Sequence, residues 1–484
     1  MTPAHMIALA LIPLVAVPGA MAAACSARVR DIFFFAMVSL AVVAERMQVN
    51  FFSEAWYRGT TRGLEVTLIE LLAFALLLGC WFGRGLGSRP FWPGSLGFLL
   101  LYFAYACVSV LFSQPRIFGA FELSKIFASI LVFLASAAYV RSRREWTLLV
   151  VALGCAVGFE GIWALKQHFI MHLPRVAGTL DHANSLSMYF CLTVPLLVAV
   201  AFSGWTRGLR VFCGICSLAA CAGLILTLSR AGIPVFAAVV AGAILACASW
   251  RLTPRRIAIR TILVLGVIAM VATCWTQMGR RYSESSLEEE YFDPAVDGRG
   301  VYLRLSAAIV RDHFLGVGLN NWSYEVSRMY GPRIGYRFED YDFLTSVYGT
   351  SDDKQFADSY LAAPAHNLAA LTLGELGIPG LFIFVLLWAR WLSMAAPFLL
   401  LPRSEPMRVM GVGLLFCILG IFGQSLTEWV YRQTPILFTF YILLGALASL
   451  AHARRQAGIE KRSNRLASAA PDPVPHECLV AEGV

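Results

Sequence analysis

Of 484 residues, 58% are hydrophobic and 14% charged, and the mean hydropathy is +0.68. That balance excludes a water-soluble globule and requires many membrane spans. The net charge of +9 sits largely in short basic connections, which suits anchoring at one membrane face and argues against nucleic acid as the partner.

A spanning helix needs ~20 apolar residues, and about thirteen such windows recur, at roughly 6–25, 31–48, 64–83, 94–113, 118–140, 146–165, 184–203, 209–228, 231–250, 257–276, 366–390, 407–427 and 434–452. The first window has no basic residue before it and is followed by Arg28 and Arg30. A cleavable signal peptide has the opposite order, so this window reads as a retained helix with its amino end outside. If the windows alternate, Arg141-Ser-Arg-Arg144, Arg207 to Arg210, Arg251 to Arg260, Arg403 to Arg408 and Arg454-Arg455 share one side. The positive-inside rule makes that side cytoplasmic and places the polar segment 277–362 outside.

The expected fold is an all-α polytopic membrane protein, with about 12–13 transmembrane helices and one long periplasmic loop containing short helices. Five stretches follow: N-terminal transmembrane helices (1–165), central transmembrane helices with outer arginine-bearing loops (166–276), the large periplasmic loop (277–362), C-terminal transmembrane helices (363–453) and a disordered cytoplasmic tail (454–484). The twelve cysteines all avoid the outer segment, which argues for small buried hydrophobes over a disulfide framework. Cys213-x-x-Cys216 has metal-type spacing but lies in an apolar window without a nearby histidine or carboxylate, so no metal and no cofactor are expected.

In chain order, Arg58 and Arg62 fall outside, against the basic-inside bias. Glu65, Glu70, Glu122, Lys125 and Glu160 lie at or within membrane depth, where each needs a partner or water; Glu122 and Lys125, three apart on one helix, can pair with each other. The connection Lys166 to Asn184 carries His168, His172, Arg175, Asp181 and His182 on the outer side. His168 and His172 share a helix face, which is short of a zinc site. Leu226-Thr-Leu-Ser-Arg-Ala-Gly232 leaves almost no loop and puts Arg230 at the outer interface. Two readings stay open there, a snorkelling anchor and an anion ligand.

The outer segment concentrates fourteen of the thirty carboxylates, and its front, Ser283 to Asp297, reads as a solvated acidic loop. From Arg299, the positions Tyr302, Leu303, Ser306, Ala307, Ile309 and Val310 suit a short amphipathic helix. It ends before Gly316-Val-Gly-Leu-Asn-Asn-Trp322, whose glycines permit a tight turn. The tyrosines and Trp322 suit either sugar stacking or packing of a small subdomain. His366 stands where this polar segment meets apolar sequence. On a helix beginning near it, Ala369, Ala370, Leu373, Gly377 and Gly380 share its face and allow close packing. Glu375, nine positions on at ~100° each, points the other way; it is expected to be structural, pairing with another helix. For His366 itself a capping role and a catalytic role both remain open.

Four segments in order, Arg175-Val-Ala-Gly-Thr-Leu-Asp-His-Ala-Asn184, Leu228-Ser-Arg-Ala-Gly232, Arg299 with Gly316-Val-Gly-Leu-Asn-Asn-Trp322, and His366-Asn-x7-Glu-x-Gly377, resemble the O-antigen ligase and polymerase family of bacterial envelope glycosyltransferases. The chain departs from the commonest pattern in having Phe314 where proline usually precedes the glycines, and Leu303 where an aromatic often stands.

The resemblance implies a glycosyltransferase of the inner (cytoplasmic) membrane that works on its periplasmic face, of O-antigen ligase type. The donor would be an undecaprenyl-diphosphate-linked glycan and the acceptor a glycan, lipid A core or protein. His366 is carried over as a metal-independent general base, since an imidazole with an ordinary pKa near ~6.5 suits removal of a hydroxyl proton. Arg230 and Arg299 are carried over as diphosphate ligands, with Arg175 as a further candidate. Two alternatives remain: a polymerase joining repeat units on the lipid carrier, and a transporter of polysaccharide or lipid-linked sugar, which predicts charge deep in several helices and often two similar halves.

Overall fold

The computed structural model describes residues 3–54, 57–83, 92–248, 299–334, 362–403, 405–429 and 432–469, with 272, 275 and 279. The expected window 257–276, apart from 272 and 275, lies outside the described residues, as do the acidic run Ser283 to Asp297, the tyrosine-bearing stretch 335–361 and the end of the tail, 470–484.

The described chain is almost entirely helical: α1 (Pro3–Cys25), α2 (Ala27–Leu40), α3 (Leu68–Gly83), α4 (Leu96–Phe112), α5 (Arg116–Tyr139), α6 (Arg143–Phe169), α7 (Ala183–Ala201), α8 (Arg207–Leu226), α9 (Gly232–Cys247), α10 (Gly300–Asp312), α11 (Leu368–Ala395), α12 (Pro406–Ser425) and α13 (Thr434–Ala469). Among the described residues α5, α6, α7, α8, α11, α12 and α13 are long and apolar enough to cross a membrane, and α3, α4, α9 and the Ile12–Cys25 part of α1 are shorter apolar helices. The protein is an all-α polytopic membrane protein.

One expected window divides. α2 stops at Leu40, a 3-10 turn covers Ala41–Met47, and the chain forms the antiparallel hairpin β1 (Gln48–Ser53) and β2 (Gly63–Thr67). The register pairs Gln48 with Thr67 and Asn50 with Glu65, with a bulge between Asn50 and Phe52. Gln48-Val-Asn-Phe and Leu64-Glu-Val-Thr alternate polar and apolar residues of strand-forming type, a short period hidden within two hydropathic windows. The tail also differs from expectation, because α13 runs unbroken through Arg454 and Arg455 to Ala469. Ala, Arg, Gln, Glu and Lys are strong helix formers, and Pro471 is the first proline after Pro435.

α7 is the central helix, with 94% of its most apolar window buried, packed against α8, α9 and α12. α5 and α13 lie together, Ser136 Oγ donating to the Ile442 carbonyl at 2.7 Å. The carboxylates expected to need partners find them. Glu160 on α6 accepts from Thr179 N at 2.8 Å. Glu122 accepts from Thr60 Oγ1 at 2.9 Å and from Arg432 Nε at 2.8 Å, so its ion pair is with Arg432 instead of the expected Lys125.

α11 is interrupted. Gly377 has φ +66°, a left-handed conformation inside the helix, and the Gly316-Val-Gly318 loop docks on the break. Val317 N donates to Gly374 O (3.0 Å), Gly318 N to Glu375 O (2.8 Å) and Ile378 N to Phe314 O (3.2 Å). Carbonyls and amides freed by the break are thereby satisfied, as membrane-embedded backbone requires. The stripe of small residues expected on one continuous helix is therefore cut at Gly377. A Cβ on Gly377 would run into the Phe314 carbonyl oxygen, and one on Gly316 (φ +80°) into that of Glu375. Gly377→Ala thus combines a conformation essentially confined to glycine (φ +66°, ψ −168°), costing about 1–3 kcal/mol, with a backbone collision. It is expected to lower the thermal unfolding midpoint of the detergent-solubilised protein, whereas Gly97→Ala, where a Cβ meets nothing within 4 Å, is expected to leave it near wild type.

Candidate active site

The start of α7, the end of α8, the start of α11 and the end of α12 converge with α10. α11 starts at Leu368, two residues later than the expected window: Asn367 is its N-cap, its side chain accepting from Ala370 N at 2.9 Å while donating to the Leu426 carbonyl at 2.8 Å. His366 therefore precedes the cap, in a bend. Its Nδ1–H donates to Glu428 Oε2 at 2.6 Å. The imidazole is 39% exposed and the carboxylate 5%, so a buried acid orients a partly open base. With Nδ1 engaged, Nε2 is the ring nitrogen left for proton transfer.

Glu428 gathers the remaining groups. Its Oε1 accepts from Asn184 Nδ2 at 2.7 Å and from Arg299 Nη2 at 3.2 Å. Arg299, the residue before α10, also donates from Nε to Thr427 O at 2.9 Å. Arg175 donates from Nη2 to Asn184 Oδ1 at 2.6 Å and from Nε to Thr227 O at 2.8 Å. Three predicted residues, His366, Arg299 and Arg175, thus meet on Glu428, the last through Asn184. Arg230 lies three residues beyond Thr227, half-buried in the same turn. That turn is held open by Leu228 at φ +51°, a conformation unusual for a branched residue. Gly232 follows, where a Cβ would collide with Ser187 on α7.

Glu375 is not part of this group. It faces Arg432, whose Nη1 donates to Glu375 Oε2 at 2.6 Å, in agreement with the helical angle computed from His366. α10 packs on α11, with Ser306 Oγ donating to Ala370 O at 2.8 Å. Its buried face is Val301, Leu305, Ser306 and Ile309, with Leu303 44% exposed and Ala307 exposed. The expected face is therefore rotated, because it took Leu303 as inward. Tyr302 remains beside the base, its ring centroid 5.8 Å from that of His366. Trp322 is buried against Gly374, a packing residue instead of a sugar platform.

Burial pushes the Glu428 carboxyl up, but the hydrogen bond and charge of His366, together with Arg299, more than offset it and hold it below the ordinary carboxylate range. The sign follows for a depressed acid: its contribution to stability is present above the unfolded value, ~4.3, and lost as pH falls through the lower folded one. The wild-type advantage in stability over Glu428→Gln is expected to shrink as pH falls below about 4, checked by thermal unfolding as a function of pH.

Glu428 was missed in the sequence, although it is the only carboxylate between Glu405 and Glu460. The alternating windows put it on the side of His366. Lone acids in connections are usually solvated, and no motif distinguishes this one.

A family model described as O-antigen ligase matches residues 215–385. The matched stretch holds Arg230, Arg299 and His366; Arg175, Asn184, Glu428 and Arg432 lie beyond its ends. No curated protein matches the chain.

Proposed function

We propose that the chain, whose residues 215–385 match a family model described as O-antigen ligase, moves a glycan from an undecaprenyl-diphosphate carrier to an acceptor on the periplasmic face of the bacterial inner membrane. The observation that carries this reading is the Glu428 cluster: a half-open histidine oriented by a buried carboxylate, with arginines on the same carboxylate and its neighbours.

In this reading His366 Nε2 takes the proton of an acceptor hydroxyl as that oxygen attacks the anomeric carbon. A new C–O bond forms there, the bond from that carbon to the diphosphate breaks, and the leaving group carries away the electron pair. Arg299, Arg230 and Arg175 supply guanidinium charge for the diphosphate. Glu428 fixes the Nδ1–H tautomer and stabilises the imidazolium that forms, the part a buried carboxylate plays beside histidine in hydrolytic triads. The acceptor is a glycan, lipid A core or protein, and surrounding lipids hold the carrier's chain.

The family description favours the ligase form over the polymerase. Deleting the gene separates the two: loss of a ligase leaves long chains on the carrier, whereas loss of a polymerase leaves single repeat units. If deletion instead traps lipid-linked glycan on the cytoplasmic face, transport replaces both.

A further inference from the structure

We propose that Arg432 is a positioning residue for this reaction, fixing the α12–α13 connection so that Glu428 meets His366. The inference rests on the assignment of the His366–Glu428 pair to catalysis.

Glu428 and Arg432 share the short connection Leu426 to Gln433; Glu428 lies just past α12, with its backbone N donating to Gln424 O at 3.0 Å. The connection is held at its front by Asn367 on Leu426 O and Arg299 on Thr427 O. Beyond Glu428 the hold is Arg432. Its backbone N donates to Trp429 O at 3.0 Å, closing a turn onto the residue that follows Glu428. Its side chain is only 8% exposed and forks between two helices, Nε to Glu122 on α5 (2.8 Å) and Nη1 to Glu375 on α11 (2.6 Å).

Both carboxylates are themselves tied down. Glu122 takes the hydroxyls of Thr60 and Thr61 from the loop between β1 and β2, and the Glu375 carbonyl takes Gly318 N at 2.8 Å. Asn320 completes the lattice, accepting from Thr60 N at 2.9 Å and donating to Thr61 O and Phe118 O, each at 2.8 Å. The guanidinium therefore references the connection to the hairpin loop, α5, α11 and the glycine loop at once.

A buried ion cluster is weak evidence for stability, since well-packed apolar residues often replace one without loss. Its distinctive output is geometry, and a planar fork reaching two carboxylates fixes direction in a way a lysine cannot. What this geometry delivers is a carboxylate 2.6 Å from His366 Nδ1. This also gives Glu375 a use within the His366-x8-Glu375 spacing: it orients the base at a distance, through Arg432 and the connection.

The test is a double-mutant cycle in a deletion strain, following conversion of pulse-labelled carrier-linked glycan to mature glycan per amount of membrane-inserted protein. Arg432→Lys is expected to slow conversion by about tenfold in the wild-type background and by less than about twofold in Glu428→Gln, because what Arg432 positions is then already lost. A purely structural residue would slow both by the same factor, and that result overturns the proposal, as does a wild-type rate for Arg432→Lys. If Arg432→Lys does not accumulate, Glu375→Gln, which loosens the same fork, is put through the same cycle with the same criteria. A wild-type rate for Glu428→Gln alone would instead sink the underlying site assignment, and the positioning role with it.

Discussion

Replacing His366 with alanine is expected to slow glycan transfer by about 10²–10⁴-fold, the usual contribution of a general base, while the protein still inserts and folds. The folding part of this expectation comes from the surroundings of the side chain. His366 is 39% exposed, precedes the N-cap of α11 and contributes one side-chain bond, to Glu428. Glu428 would keep Asn184 and Arg299 as donors, so no buried acid is stranded. The loss should therefore appear in rate and not in protein level, measured as conversion of carrier-linked glycan per amount of membrane protein. A general base acts on the acceptor, so accumulation of the donor on its carrier is expected with it.

Glu428→Gln is expected to slow transfer by about 10- to 100-fold, and Glu428→Ala by more. Glutamine keeps an acceptor near His366 but removes the charge that favours the imidazolium and presents an amide that can bond the ring in the wrong sense. The stability consequences are larger than for His366. Arg299 would lose the charge of its carboxylate partner while keeping its bond to Thr427 O, and a hydrogen bond to a charged group typically contributes about 1.5–3 kcal/mol. Rates for this variant need normalising to folded protein. The two variants together separate a base that works alone from one that depends on its buried acid: a large effect at His366 with none at Glu428 would leave the acid as packing.

The membrane class was legible because it rests on long-range composition, and the arginine–histidine group because four ordered segments resemble a known family. Window lengths placed most helices, since a bilayer forces a minimum apolar length. Alternation put Arg175, Arg230, Arg299 and His366 on one side, and three of them do meet at Glu428. Glu375 does lie away from His366, on Arg432, although only Leu368 to Glu375 is helical and the expectation had run the helix from His366 itself.

What escaped depended on tertiary pairing. Glu428 and Arg432 sit in a connection with no period and no motif, and their partners are 62 residues away at His366 and 310 at Glu122. The hairpin at Gln48–Thr67 was masked by apolar windows on both sides, and the break at Gly377 is set by a loop that docks from sixty residues earlier. Leu303 was placed inward by its type, whereas packing of α10 on α11 selected Val301, Leu305 and Ile309.

The central claim, that His366 is the base of a carrier-to-acceptor glycan transfer, is tested most directly by complementing the gene deletion with wild type and with His366→Ala and reading carrier-linked and mature glycan in the same cells. Wild type should restore mature glycan, and His366→Ala, at equal membrane abundance, should leave long chains on the carrier. Full mature glycan in His366→Ala cells would contradict the account.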